Sequence, residues 1–214
     1  VGYAPEGRLL HNDEIVALDH MCYPLRRLLE AGALCNDSQV TLEDGMWTLQ
    51  GDPTEAALLV SARKVGLEPE ALTQRTPRLD VVPFESAHKY MITLHEGRTG
   101  SAPRLIIKGA VEAILARAEN ALADDGRRVP LDREAVLRTV DEMAAQGLRV
   151  LAFAERYLPE GTTHVHPEDA AGLTFLGLQG MIDPPRPEAI AAVRASQEAG
   201  IHVKVITGDH PVTA

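Results

Sequence analysis

The sequence predicts an α+β fold, a largely antiparallel sheet flanked by helices, with an αβ fragment of a second, parallel α/β domain at the C-terminal end. Three observations lead there. The β-prone runs arrive in groups instead of alternating with helices, the stretches of helical spacing stand apart from them, and a proline cluster, Asp183-Pro184-Pro185-Arg186-Pro187, interrupts the chain late. With 214 residues and an apolar share of 45%, the chain can build one large packed core and carry a fragment besides.

In chain order, Val1 to Arg8 reads as a linker or cut edge, with Pro and Gly in turn-like company. From Asp13 to Ala33 apolar residues recur at helical spacing, with Pro24 a kink or break and Gly32 the helix end. A second helix follows Gly51, where Asp52 is a good N-cap, Pro53 suits the first helical position, and Glu55 falls where a capping-box carboxylate belongs. Leu79 to Phe84, Tyr90 to His95 and Leu105 to Ile107 are neighbouring antiparallel strands, with a glycine-containing loop over Glu96 to Gly100. Helices are expected over Val111 to Ala118 and Arg133 to Gln146, and strands over Arg149 to Arg156 and Leu173 to Gln179. Beyond the prolines, Glu188 to Gly200 is an amphipathic helix with a C-terminal glycine, followed by an apolar strand over Ile201 to Ile206.

Composition narrows the function classes. A net charge of -10 repels polyanions and argues against general nucleic-acid binding, so a small anionic ligand needs a local basic pocket. Cys22 and Cys35 are too few for a disulfide framework and lack zinc-site spacing; both are expected to pack as small apolar residues in a reducing compartment. No run of apolar residues is long enough to span a bilayer and the first residues are not a signal peptide, so the chain as it stands reads as soluble. The histidines at 11, 20, 164 and 166 lack a third well-spaced partner, and no metal site is assigned to them. Neither a P-loop nor a dinucleotide-binding glycine pattern is present.

Several short motifs place chemistry at element ends, and each has a bland reading beside it. Glu55 is explained by helix capping, yet a carboxylate on a helix rim also accepts a hydrogen bond from an adenine amino group. Phe84 at a strand end, with Ser86 and Lys89 after it, is either a core ring beside a solvated lysine or a stacking face beside a cation. Lys108 leaves a strand end next to Gly109 and Ala110, where glycine lets a ligand approach the backbone. Arg149 sits where a helix turns into a strand. Thr207, Gly208 and Asp209 end the last expected strand, the end at which parallel sheets collect ligands, although Asp209 also suits a helix cap.

Taken in order, Gly51-Asp52-Pro53-Thr54-Glu55, Pro83-Phe84-Glu85-Ser86 with Lys89, Lys108-Gly109-Ala110, Gly147-Leu148-Arg149-Val150-Leu151-Ala152, Asp183-Pro184-Pro185-Arg186 and Thr207-Gly208-Asp209 resemble the cytoplasmic region of P-type cation-transporting ATPases, nearest the type II calcium, sodium-potassium and proton pumps. The resemblance covers nearly the whole chain. It implies a nucleotide-binding domain over residues 1–180, a hinge over 181–187 containing Asp183 and Arg186, and a partial phosphorylation domain of haloacid-dehalogenase type over 188–214. By the same resemblance Phe84 stacks on adenine, Glu55, Ser86 and Lys89 line the base pocket, Lys108 sits deep in it over a floor of Gly109 and Ala110, and Arg149 reaches toward the phosphates. Thr207, Gly208 and Asp209 then lie on the phosphoryl side of the catalytic domain.

The family's Asp-Lys-Thr-Gly-Thr phosphorylation motif and its magnesium-supporting Gly-Asp-Gly-x-Asn-Asp motif are absent. The resemblance therefore implies a chain that binds ATP with its Mg2+ and hands the γ-phosphate to an aspartate outside it. Its partners are then the remaining phosphorylation, actuator and transmembrane domains of a pump at the cytoplasmic face of a membrane. Ser86 stands where many relatives carry a basic residue, and His88 where arginine is common. The alternatives are a stand-alone nucleotide-binding or sensor module and a capped haloacid-dehalogenase phosphatase, distinguished by whether the phosphorylation motif and membrane spans flank this segment. The ligands of a transported ion belong to membrane helices outside it.

Overall fold

The stretch from Asp13 to Ala33, expected to be helical with a kink or break at Pro24, is divided by its own turn residues. The computed structural model describes residues 4–16, 19, 21–97, 101–182 and 187–204. Asn12 and Asp13 both adopt left-handed backbone, with φ of 51° and 66°, and turn β1 (Leu10–His11) into β2 (Glu14–Ile15). Helix α1 (Tyr23–Leu34) starts only afterwards, with Pro24 in its first turn, where the missing N–H costs nothing. Of the kink and the break expected at Pro24, the structure shows the break: Pro24 opens the helix. Gly32 lies inside α1 against Leu58 and Gln179, and the helix ends at Cys35.

The hairpin of β3 (Gln39–Glu43) and β4 (Met46–Gln50) turns on Asp44-Gly45, again left-handed at both positions. Helix α2 (Pro53–Arg63) begins as the sequence implies, its N-cap Asp52 accepting from the backbone N–H groups of Thr54 and Glu55. Then come α3 (Pro69–Arg75), β5 (Arg78–Glu85), β6 (Tyr90–His95), β7 (Arg104–Gly109) and α4 (Val111–Leu115). Helix α4 is shorter than expected because Ala118 already opens β8 (Ala118–Leu122), which pairs with β9 (Arg128–Pro130). Helix α5 (Arg133–Ala145), β10 (Arg149–Tyr157) and β11 (Leu173–Met181) complete the body.

Seven strands form one sheet in the order β5-β6-β7-β10-β11-β8-β9. All neighbours are antiparallel except β11 and β8, so the α+β, antiparallel-dominated expectation holds. Both faces are covered. Because side chains alternate along a strand, Leu105 and Ile107 of β7 join Tyr90, Ile92, Leu94, Ala152 and Ala154 under α4, whose Val111, Ile114 and Leu115 close that core. On the opposite face Ile106, Met91, Phe153 and Leu176 pack against Leu28, Ala31 and Leu34 of α1 and Leu58 of α2. A third cluster, with Leu29, Ala56, Leu59 and Ala62, welds α1 to α2. Cys35 is buried as expected, but Cys22 is exposed: it stands just ahead of α1, off the buried face of the helix.

The alternation of β7 also carries Arg104 and Lys108 onto the face covered by α1 and α2, at opposite ends of the strand. Arg104 meets a buried carboxylate, Glu155 of β10, which Arg27 of α1 also contacts at 2.6 Å. At the same end, His95 is fully buried; its Nδ1 donates to the Thr76 carbonyl at 3.1 Å, which leaves Nε2 to accept from the Thr93 hydroxyl at 2.9 Å. Burial pushes the His95 pKa down to about 4. The unfolded chain, with His95 near its ordinary 6.5, binds the proton more readily than the native one. Its contribution to stability is therefore complete above pH 6.5 and lost as pH falls toward 4. Thermal melts across this window are expected to be steeper in pH for the wild type than for His95→Gln.

Helix α6 (Pro187–Glu198) follows the body and is succeeded by Gly200 at φ 77°, as expected for a C-terminal glycine. Its Ile190 and Val193 are exposed, as are Ile201 and Val203 beyond it. Residues 201–204 are not a strand, since no described strand lies beside them to complete a ladder. Asp183, Arg186, Thr207, Gly208 and Asp209 lie outside the described residues. Among the described residues no helix is long and apolar enough to cross a membrane.

Candidate functional site

Strand β7 ends where the N-terminus of α2 crosses it, and the sheet opens there into a cleft of about 660 Å³. Its walls come from five places in the chain. Asp37 and Ser38 follow α1, Asp52, Thr54 and Glu55 open α2, Phe84 and Lys89 flank the β5-β6 turn, Lys108, Gly109 and Ala110 end β7, and Arg149 to Leu151 begin β10.

The centre of the cleft is an ion pair. Lys108 is 6% exposed and its Nζ contacts Oε1 of Glu55. Glu55 does not close a capping box; its Oε2 instead accepts from the backbone N–H of Asp37 at 2.9 Å and from the Ser38 hydroxyl at 3.0 Å. The helix still has its cap, because Asp52 Oδ1 serves both free N–H groups alone. The carboxylate at the third helical position is thereby released to face the strand. Asn36 fixes the same corner, its side chain donating to the Gly32 and Glu55 carbonyls. Arg78, at the start of β5, donates to the Asn36 carbonyl and to Asp37 Oδ1, each at 2.5 Å.

Phe84 is 60% exposed, although it belongs to the strand that borders the core. The register breaks between Val82 and Glu85, and this irregularity takes the ring out of the alternation that buries its neighbours. An aromatic ring left in water at the mouth of a cleft is an available stacking face. Lys89 closes the turn in the left-handed region at φ 61° and reaches Glu112 of α4 at 3.0 Å. Glu112 is held below the usual carboxylate range by its own backbone N–H and by Lys89. Arg149 is exposed; β10 runs antiparallel to β7 with Ala152 opposite Gly109, so Arg149 projects past the end of β7.

Gly109 has a reason the sequence did not indicate. A Cβ there would lie 2.3 Å from the Lys89 carbonyl oxygen and 2.7 Å from Tyr90 Cα. Thus it is the approach of β6, and not room for a ligand, that demands glycine. Ser86 is exposed on the turn and does not line the cleft, since the chain swings away there before Lys89 returns. Glu55, Phe84, Lys89, Lys108, Gly109, Ala110 and Arg149 are brought together. The sequence reading passed over Asn36, Asp37 and Ser38, although three consecutive turn-forming polar residues directly after a helix were a visible signal.

A second hollow, about 900 Å³, lies at the other end of the same strands and is lined by residues including Arg75, Pro77, Glu96, Pro103 and Thr162. It has no aromatic ring among its lining residues and offers no stacking face. His164 sits beside Asp80 at 3.4 Å, and Val165 N–H donates to the Asp80 carboxylate at 2.9 Å, so this histidine run belongs to loop packing. Among the described residues no group of three His, Cys, Asp or Glu side chains is placed to hold a metal ion.

Comparison with known proteins follows the same stretch. The family described as P-type ATPase, cytoplasmic domain N, matches residues 24–188. The chain is 49% identical to the cation-transporting ATPase pma1 of Synechocystis over all of its own length and 24% of that protein. It is 39% identical to a calcium-transporting ATPase of Bacillus subtilis over all of its length and 24% of that protein. With the probable cation-transporting ATPase F of Mycobacterium tuberculosis the figures are 41%, the whole chain, and 23%. The chain thus spans about a quarter of the length of the curated relatives it matches.

Proposed function

Because this chain belongs to the P-type ATPase family, as its cytoplasmic domain N, we propose that the cleft between α2 and the end of β7 binds ATP and delivers its γ-phosphate to an aspartate elsewhere in a cation pump. The observation that carries this reading is the exposed ring of Phe84 sharing one cleft with the buried Lys108–Glu55 pair. The ring offers a stacking face, Glu55 an acceptor for the adenine amine, Lys89 a cation at the base pocket, and Arg149 a cation toward the phosphates. Bound with the nucleotide, Mg2+ would supply neutralisation of the phosphate charge. The lining residues bind and orient; they supply no nucleophile.

In this reading residues 1–180 are the nucleotide-binding domain, 181–187 the hinge with Asp183 and Arg186, and 188–214 part of the phosphorylation domain. The exposed Ile190 and Val193 of α6 support a covering partner from that domain. Thr207, Gly208 and Asp209 would face the phosphoryl group. The whole pump would be a membrane protein with this region on its cytoplasmic side, driving transport of a cation by ATP hydrolysis.

One stacked base and a few charge-assisted contacts must offset association entropy, so the dissociation constant for ATP is expected at about tens of micromolar to millimolar. Calorimetric or NMR titration tests this, and no response at several millimolar ATP would refute it. Phe84→Ala is expected to weaken ATP binding by about 1–3 kcal/mol, with the melting temperature unchanged, because the ring is already in solvent. Wild-type affinity in Phe84→Ala would return Phe84 to a packing role.

A further inference from the structure

Glu55 is held more firmly than a ligand-reading carboxylate on a helix rim need be, and the hold comes from residue 38. The Ser38 side chain is buried beneath Gly51, whose Cβ, if it had one, would meet the hydroxyl at 2.4 Å. The hydroxyl oxygen accepts from Asp52 N–H at 2.8 Å and lies 3.0 Å from Glu55 Oε2 and 3.2 Å from the Asp52 carbonyl, so its single proton is donated in preference to the nearer, charged carboxylate. With Asp37 N–H on the same oxygen, Oε2 has both of its acceptor sites occupied. Oε1 takes Lys108 and keeps one site open.

We propose that Ser38 is a positioning residue for nucleobase discrimination: by fixing Oε2 it presents the one open acceptor of Glu55 in a set direction, so that a purine carrying an amine at position 6 binds and a purine carrying an oxo group there is repelled. The proposal rests on the ATP reading of the cleft. An amine donates to that acceptor, whereas an oxo group sets oxygen against carboxylate. A carboxylate free to rotate would offer the Lys108 side to the oxo group instead and lose the distinction.

ATP and inosine triphosphate share phosphates and sugar and differ at position 6, so the experiment measures their dissociation constants for wild type, Ser38→Ala and Ser38→Cys, with thermal melts of each. The wild type is expected to favour ATP by about tenfold. In Ser38→Ala the ATP affinity is expected to fall several-fold while that for inosine triphosphate changes less than twofold, and Ser38→Cys, similar in shape with a weaker donor, falls between. Equal loss of both nucleotides, together with a lowered melting temperature, would make Ser38 a structural brace only and overturn the proposal. An unchanged ATP preference in both variants would overturn it while leaving the ATP site intact. A wild type that binds neither nucleotide would overturn the ATP reading and this proposal with it.

Discussion

Glu155→Gln is expected to lower the melting temperature by about 6–20 °C, from a loss of about 3–5 kcal/mol and a sensitivity of about 2–4 °C per kcal/mol in a chain this long. Glu155 is 4% exposed and stands between two guanidinium groups, Arg27 at 2.6 Å and Arg104 Nε at 2.7 Å. Glu30 lies farther off, at 3.6 Å from Arg27 and 3.7 Å from Arg104. Gln keeps the shape and one acceptor but removes the charge, leaving the buried Arg104 and the partly buried Arg27 with one distant carboxylate. Replacing the group wholesale, with Arg27→Met, Arg104→Met and Glu155→Leu together, is expected to restore most of the loss, since an apolar core carries no desolvation cost. Differential scanning calorimetry distinguishes these outcomes. ATP affinity, measured below the transition of each variant, is expected to stay within twofold of wild type, because Glu155 lies roughly 20 Å along β10 from Arg149 at the strand rise per residue.

Lys108→Met is expected to reverse that pattern by acting on binding as well as on stability. The ammonium is buried against Glu55, and removing it takes a charged donor worth roughly 1.5–3 kcal/mol from the cleft, so ATP binding should weaken about tenfold or more. Stability should fall less than for Glu155→Gln, since Glu55 retains the Asp37 N–H and the Ser38 hydroxyl and the methionine fills the space. Adding Glu55→Gln to Lys108→Met should recover part of the melting temperature but none of the ATP affinity. Wild-type affinity in folded Lys108→Met, with a weaker affinity in the distant control Lys64→Ala, would put the nucleotide somewhere else.

What could be read from the residues was set by how local its cause is. The start of α2 was visible because Asp52 and Pro53 act within one turn, and β6 and β7 because each has a short β-prone apolar stretch, Tyr90 to Ile92 and Leu105 to Ile107, in a strand buried on both faces. The Asn12-Asp13 turn and the hairpin around it were missed because the apolar spacing across Asp13 to Ala33 continues over the break, and spacing alone does not locate a helix start. Asp44-Gly45 was a legible hairpin signal that was not used. The bond from Glu55 to Lys108, in contrast, spans 53 positions and depends on how α2 crosses the sheet. No local rule contains that crossing. Likewise Gly109 was identified correctly as special while the reason lay in β6, which only tertiary packing brings within reach.

That 53-residue span has a thermodynamic consequence. A loop of that length closes only when helix and strand have both docked, so the unfolded chain has no part-formed version of the cleft to offer. Any solute that occupies it selects the native ensemble and raises the free energy of unfolding by about 2.7 kcal/mol at a hundred times its dissociation constant. Nucleotide concentration would then set how long the domain survives a protease that cuts only opened chains, making cellular energy charge a determinant of its lifetime as well as of its occupancy.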